Sequence, residues 1–201
     1  VIERFAEPVT TRYVVLPYDD VDTDQIIPAG FLMTGARANL GRFVFHNWRF
    51  TPAGEPRAEL SFDVPVKDAR LLVAGHNFGC GSSREHAVWS LLDAGFRAVV
   101  STSFGDIFRA NALSNGLLPI ELDGAVIRRL IDDPAWREAT ITIDVPGQRV
   151  ALPDASWHTF PLPPFRKHCL IAGLDELDYL LSIEAQRASY ETSRGLSAGL
   201  N

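Results

Sequence analysis

Between Ala69 and Ile120 the chain alternates short apolar runs with stretches of helical character, and this alternation constrains the fold more than any other feature. Ala69 to Gly75 reads as a buried strand, Ser83 to Ala94 as a helix, and Ala98-Val99-Val100-Ser101 as a second strand. Phe104 to Leu113 reads as another helix, and Leu117-Leu118-Pro119-Ile120 as a third short strand. Strands joined by helix-length connections pair in parallel, because parallel neighbours cannot be linked by a tight hairpin. Gly95 is placed to close the first helix from the position just past its C-cap. The expected class is α/β with a parallel β-α-β portion.

The flanks are less regular. Thr10 to about Pro65 is loop-rich, with a β-like run at Tyr13-Val14-Val15-Leu16, an acidic loop from Asp19 to Asp24, and a turn at Thr51-Pro52-Ala53-Gly54. After the core, Val126 to Ile131 reads as a short helix. Ala139 to Val145 and Arg149 to Leu152 read as a hairpin about Pro146-Gly147. Three prolines between Phe160 and Phe165 bar helix interior there. Arg166 to Ala172, closed by Gly173, and Leu177 to about Thr192 read as two further helices.

With 201 residues, 46% of them hydrophobic, the chain can bury one substantial core. A single domain over 1–201 is expected, with the folded part at about 10–190 and 195–201 as a tail with little to bury. A net charge of −6 argues against nucleic acid as a partner, though not against a small cationic pocket. No apolar stretch approaches the roughly 20 residues that span a bilayer, so no membrane role is expected. Two distant cysteines, Cys80 and Cys169, cannot form a disulfide framework or ligate an iron–sulfur cluster unaided, and they suit a reducing cytoplasm.

The chemistry concentrates in Gly79-Cys80-Gly81-Ser82-Ser83-Arg84-Glu85-His86. If Ser82 is the N-cap of the helix, Glu85 falls at the third helical position and Ser-x-x-Glu forms a capping box. A helix start attracts anions, Gly79 and Gly81 permit close backbone approach, and Arg84 offers a planar fork matched to a carboxylate. The missing third glycine and missing lysine exclude the dinucleotide and Walker A readings. The residues alone leave an anion site and a tight turn both open.

The wider run from Gly75 to Trp89 closely resembles the hallmark of the small, swivelling subunit of isopropylmalate isomerase (3-isopropylmalate dehydratase), in the aconitase superfamily. Four further segments resemble the same family in the same order: Asp22-Thr23-Asp24-Gln25-Ile26-Ile27-Pro28, Phe45 to Phe50, Ser103 to Asn111, and Phe165 to Leu170 leading into Gly173-Leu174-Asp175. The resemblance implies an aconitase-like swivelling β/β/α domain with a mixed sheet. It implies interconversion of 2-isopropylmalate and 3-isopropylmalate by dehydration and rehydration in leucine biosynthesis. It further implies a large iron–sulfur subunit as partner, carrying a 4Fe-4S cluster that binds the substrate hydroxyl and one carboxylate. This chain itself is expected to bind no cofactor and no metal.

Carried over by position, the resemblance makes Ser82 the catalytic base, with Ser83 and Arg84 gripping a carboxylate of a small dicarboxylate substrate. Gly79, Gly81, Glu85, His86, Asp22 and Asp24 support the site. Leu32, Met33 and Arg37 lie in the segment that senses the substrate side chain, where an apolar lining suits an isopropyl group. Ala38-Asn39 depart from the family's Thr-Gly after that arginine. The departure keeps a related dehydratase of 2-methylmalate, citraconate or dimethylmalate in view, since one methylene in an apolar pocket shifts discrimination by only about 1–3 kcal/mol. A non-catalytic carboxylate-binding module is the alternative of another class. His46, His76, His158 and His168 form no H-x-x-x-H pair, and the Asp22/Asp24 spacing does not complete a calcium loop. Cys80, Cys169 and His168 read as packing residues.

Overall fold

The structure, a computed structural model, describes residues 2–34, 39–58, 60, 66 and 68–194. Its framework is a four-stranded parallel sheet of β2 (Tyr13–Leu16), β3 (Leu71–Ala74), β4 (Ala98–Ser101) and β5 (Leu118–Glu121), adjacent in chain order. Leu71 pairs with Tyr13 on one side and Ala98 on the other, and Ala98 with Leu118. The crossover helices are α3 (Glu85–Asp93) and α4 (Asp106–Asn115). The long crossover from β2 to β3 carries two one-turn helices, α1 (Thr23–Ile26) and α2 (His46–Arg49).

The expected parallel portion follows from burial on both sheet faces. Successive strand side chains point to opposite faces, so Leu71 and Val73 enter one core while Leu72 and Ala74 enter the other. Ala98 and Val100 divide from Val99 in the same way. Strands covered on both faces read as unbroken apolar runs, which is what the sequence displays.

The first core is closed by α5 (Gly124–Asp132) and by a separate antiparallel sheet. That sheet orders β1 (Val9–Thr11), β6 (Ile141–Asp144), β7 (Arg149–Ala151) and β8 (Trp157–Thr159). The anticipated hairpin is β6–β7, with Asp144 opposite Arg149. Only Arg12 separates β1 from β2, so the chain leaves one sheet and enters the other across a single residue. The parallel and antiparallel strands are thus segregated.

Gly95 closes α3 as expected. It sits at φ +101, its amide bonds the Leu92 carbonyl at 3.0 Å, and the Phe96 amide bonds the Leu91 carbonyl at 3.0 Å. This pair of bonds is a Schellman motif, and Leu91 and Phe96 are both fully buried beside it.

The C-terminal part brings one difference. α6 (Pro164–Ala172) ends at Gly173 as anticipated, but the helix expected from Leu177 to Thr192 is two, α7 (Glu176–Ser182) and α8 (Glu184–Ser193), broken at Ile183. The Ser182 hydroxyl donates back to the Tyr179 carbonyl at 2.6 Å, a local bond that competes with the helical ladder and bends it.

Candidate functional site

The segment after β3 leaves the carboxyl end of the parallel sheet, the edge at which open α/β sheets hold ligands. Two neighbouring segments hold it. On one side the Gly79 amide donates to the Val21 carbonyl at 2.7 Å and the Thr23 amide to the Cys80 carbonyl at 3.1 Å. On the other the Phe78 amide donates to the Ser103 carbonyl and the Gly105 amide to the Phe78 carbonyl, both at 3.0 Å. Gly79 has φ +74, and a Cβ there would run into the Phe108 ring. Gly81 has φ +85 but space around it, so its requirement is conformational alone.

Beyond these ties Ser82 and Ser83 are exposed and Arg84 is half-buried. The expected capping box is not at Ser82. The N-cap of α3 is Arg84, in extended conformation and with no side-chain capping bond, so Glu85 is the first helical residue and not the third. The reason is the anchoring of the segment: the Ser82 carbonyl accepts from the Thr23 hydroxyl at 2.9 Å, and the Glu85 carboxylate accepts from Asn115 Nδ2 at 2.8 Å. Glu85 is therefore engaged by α4 rather than reaching back to Ser82. His86 lies against the Trp89 ring, centroids 4.7 Å apart.

A capping box does form in the acidic loop. Asp22 Oδ1 accepts from the Gln25 amide at 2.7 Å, and Gln25 Oε1 accepts from the Asp22 amide at 2.8 Å. Asp satisfies the same geometry as Ser, with Gln in the place of Glu. The box turns 22–25 into α1 and buries Thr23 beneath the serine segment. It also brings Asp24 onto the guanidinium of Arg84. The Arg84 side chain is 20% exposed and that of Asp24 52%, so the pair sits at the rim of the site and open to water.

Cys80 is half-buried. Burial, then the charges of Asp22 and Asp20, push its thiol above the ordinary range, so at neutral pH it is a protonated packing group and not a nucleophile.

The segment expected to sense the substrate side chain is described in part. Ala29–Thr34 forms a 3-10 turn. Leu32 is half-buried and packs at the edge of the second core, with Phe31 stacked on Phe43 at 4.1 Å. The Met33 side chain and Arg37 lie outside the described residues. His46 packs edge-on to Phe31 at 4.7 Å with its Nδ1 buried and unpaired; burial, then Arg49, lower its pKa, so the ring is neutral.

The structure thus gathers Ser82, Ser83, Arg84, Glu85, Asp22 and Asp24 at one sheet edge. Sequence reasoning missed Thr23 and Asn115. Thr23 lies inside a quoted motif, but its bond to Ser82 spans 59 residues. Asn115, just before Gly116, carries only the signal of a helix end. Among the described residues no three His, Cys, Asp or Glu side chains gather as a metal site requires. With two cysteines in the chain, its residues do not fit an iron–sulfur cluster.

Comparison with known proteins agrees with this architecture. Residues 9–125 match the aconitase C-terminal domain family. The chain is 49% identical over 187 residues to the 3-isopropylmalate dehydratase small subunit of Anaeromyxobacter sp. (strain K), covering 92% of this chain and 96% of that protein. It is 43% identical to the small subunit of Cytophaga hutchinsonii over 98% of both chains. The crystal structure of 3-isopropylmalate dehydratase (leuD) from Methanocaldococcus jannaschii superposes with a TM-score of 0.68 at 28% identity, covering 92% of this chain and 99% of that one. Near-full-length identity of this order, on the same α/β architecture, places the chain in the family of 3-isopropylmalate dehydratase small subunits, within the aconitase superfamily.

Proposed function

We propose that this chain is the small subunit of a 3-isopropylmalate dehydratase, a hydro-lyase that interconverts 2-isopropylmalate and 3-isopropylmalate, and that it works only when joined to a large iron–sulfur subunit. The observation that carries the reading is the exposed Ser82-Ser83 pair beside Arg84, whose guanidinium already holds a carboxylate, that of Asp24. The two unpaired thiols, Cys80 and Cys169, suit a reducing cytoplasm. The described residues act as one domain, because both cores share the parallel sheet.

Dehydration removes a proton from the carbon next to a carboxylate and a hydroxyl from its neighbour; rehydration returns them with positions exchanged. Ser82 Oγ takes the proton as an alkoxide and gives it back to the other carbon. Arg84 grips a substrate carboxylate through its planar fork, with Ser83 as the adjoining hydroxyl donor. The same positive charge lowers the cost of the alkoxide beside it. Leu32, half-buried at the edge of the second core, offers apolar surface for the isopropyl group, while the roles that the resemblance gives Met33 and Arg37 fall outside the described residues. A 4Fe-4S cluster held by the partner subunit would supply Lewis-acid chemistry for the departing hydroxyl.

The test is anaerobic reconstitution with the large subunit and measurement of 3-isopropylmalate turnover. Activity is expected only with both chains, and Ser82→Ala should abolish it while leaving assembly intact. Inactivity of a fully cluster-loaded complex rejects the assignment, and full turnover by Ser82→Ala rejects Ser82 as the base.

A further inference from the structure

We propose that Asn115 is a positioning residue for the Ser82–Arg84 segment, acting through Glu85; this rests on the reading of Ser82 as the base. Asn115 is the last residue of α4 and Glu85 the first of α3. Asn115 Nδ2 donates to Glu85 Oε1 at 2.8 Å and to the Asn111 carbonyl at 2.9 Å, while its Oδ1 accepts from Trp89 Nε1 at 3.0 Å. The indole can only donate, and the carboxylate and carbonyl can only accept, so the orientation of the amide is fixed by its partners.

This network stands where a helix cap would otherwise act. No side chain caps α3 among the described residues, and the carboxylate that could have formed a capping box is held by Asn115 instead. The active segment is therefore clamped at both ends, by Thr23 at the Ser82 carbonyl and by Asn115 at Glu85. Ser83 and Arg84 lie between the clamps. Trp89, on the next turn of α3, carries the ring against which His86 packs, so the same amide fixes the first two turns of the helix.

Asn115 serves no core. It is half-buried and borders a groove of about 740 Å³ lined also by Glu85, Trp89, Asp93 and Asp175. A change there alters the setting of α3 without opening a cavity in either core. Misplacing a catalytic group by about 1 Å can cost on the order of a hundredfold in rate, so the effect belongs in kcat.

The experiment uses the reconstituted two-subunit enzyme and 3-isopropylmalate. Asn115→Asp sets a carboxylate against Glu85 and is expected to lower kcat at least tenfold, with KM changed less than threefold and titrated assembly with the large subunit unchanged. Adding Glu85→Gln restores a donor facing an acceptor and should raise kcat at least fivefold over Asn115→Asp alone. Should Asn115→Asp fold poorly, Trp89→Phe, which removes the indole donor and keeps an aromatic ring against His86, should lower kcat in the same direction by about threefold. Additive losses with no recovery in the double variant, or a kcat unchanged by both Asn115→Asp and Trp89→Phe, overturn the proposal. Ser82→Ala run in parallel separates the two levels: if it is inactive, failure of the rescue rejects only the role of Asn115. If it retains turnover, the reading of Ser82 falls and this proposal with it.

Discussion

The guanidinium of Arg84 rests on the carboxylate of Asp24, which the capping box of α1 carries across from a segment 60 residues earlier in the chain. An ion pair this exposed contributes only about 0–1 kcal/mol to stability, so its consequence lies in how Arg84 is aimed. Asp24→Ala should lower kcat/KM about tenfold in the reconstituted enzyme while changing the unfolding free energy by less than about 1 kcal/mol. Parallel urea titrations and steady-state kinetics check this; a large stability loss with unaltered kinetics would contradict it.

Arg84→Lys keeps the charge and loses the fork. Lysine is a point charge that cannot meet a carboxylate bidentately. KM for 3-isopropylmalate should rise about 10–100-fold, the loss of one charge-assisted bond of about 1.5–3 kcal/mol. Equal KM values for the two enzymes would show that no carboxylate is gripped there.

Gly79 and Gly81 separate two reasons for glycine. Both have positive φ, but only at Gly79 does an added Cβ meet a ring, that of Phe108. Gly81→Ala should cost about 1–2 kcal/mol from conformation alone. Gly79→Ala adds overpacking of about 1–3 kcal/mol. Denaturant midpoints of the isolated subunit should therefore rank wild type, Gly81→Ala, Gly79→Ala, in falling order.

Asp144 secures the β6–β7 turn away from the site. It accepts from Arg149 Nε and from the Gly147 amide, both at 2.8 Å, and these bonds, that to Arg149 foremost, hold its pKa below the ordinary 3.8. A depressed carboxylate contributes stability that is fully present above the unfolded-state value and is lost as pH falls through the folded one. Asp144→Asn should destabilise by about 1–2 kcal/mol at pH 7. The difference between variant and wild type should shrink as pH drops below about 4. A difference independent of pH in denaturation curves would show that the charge is not the cause.

Much of the parallel sheet was legible because its cause is local. Leu71 to Ala74 and Ala98 to Ser101 are apolar on both faces, and that pattern is written in consecutive residues. The end of α3 was legible for the same reason, since a glycine in left-handed conformation is a property of one position. The beginning of α3 was not. Ser82-Ser83-Arg84-Glu85 satisfies a capping pattern, yet Thr23 anchors the Ser82 carbonyl and Asn115 takes the Glu85 carboxylate that the pattern would use. Two local solutions compete there, and contacts 59 and 30 residues away in the chain select between them. The strand β1 was equally hidden: Val9 to Thr11 becomes a strand by pairing with Ile141 to Ile143, far along the chain.

By itself the sequence determined the elements whose hydrophobic period and terminating residues lie within one short window, and, through its motifs, the family. Only the tertiary structure decided where Ser82, Arg84 and Asp24 meet, which residue caps which helix, and that Asn115 reaches Glu85. Those outcomes depend on which donor meets which acceptor across distant segments. A local pattern can offer such groups, but only the packing of the sheet edge decides which of them pair.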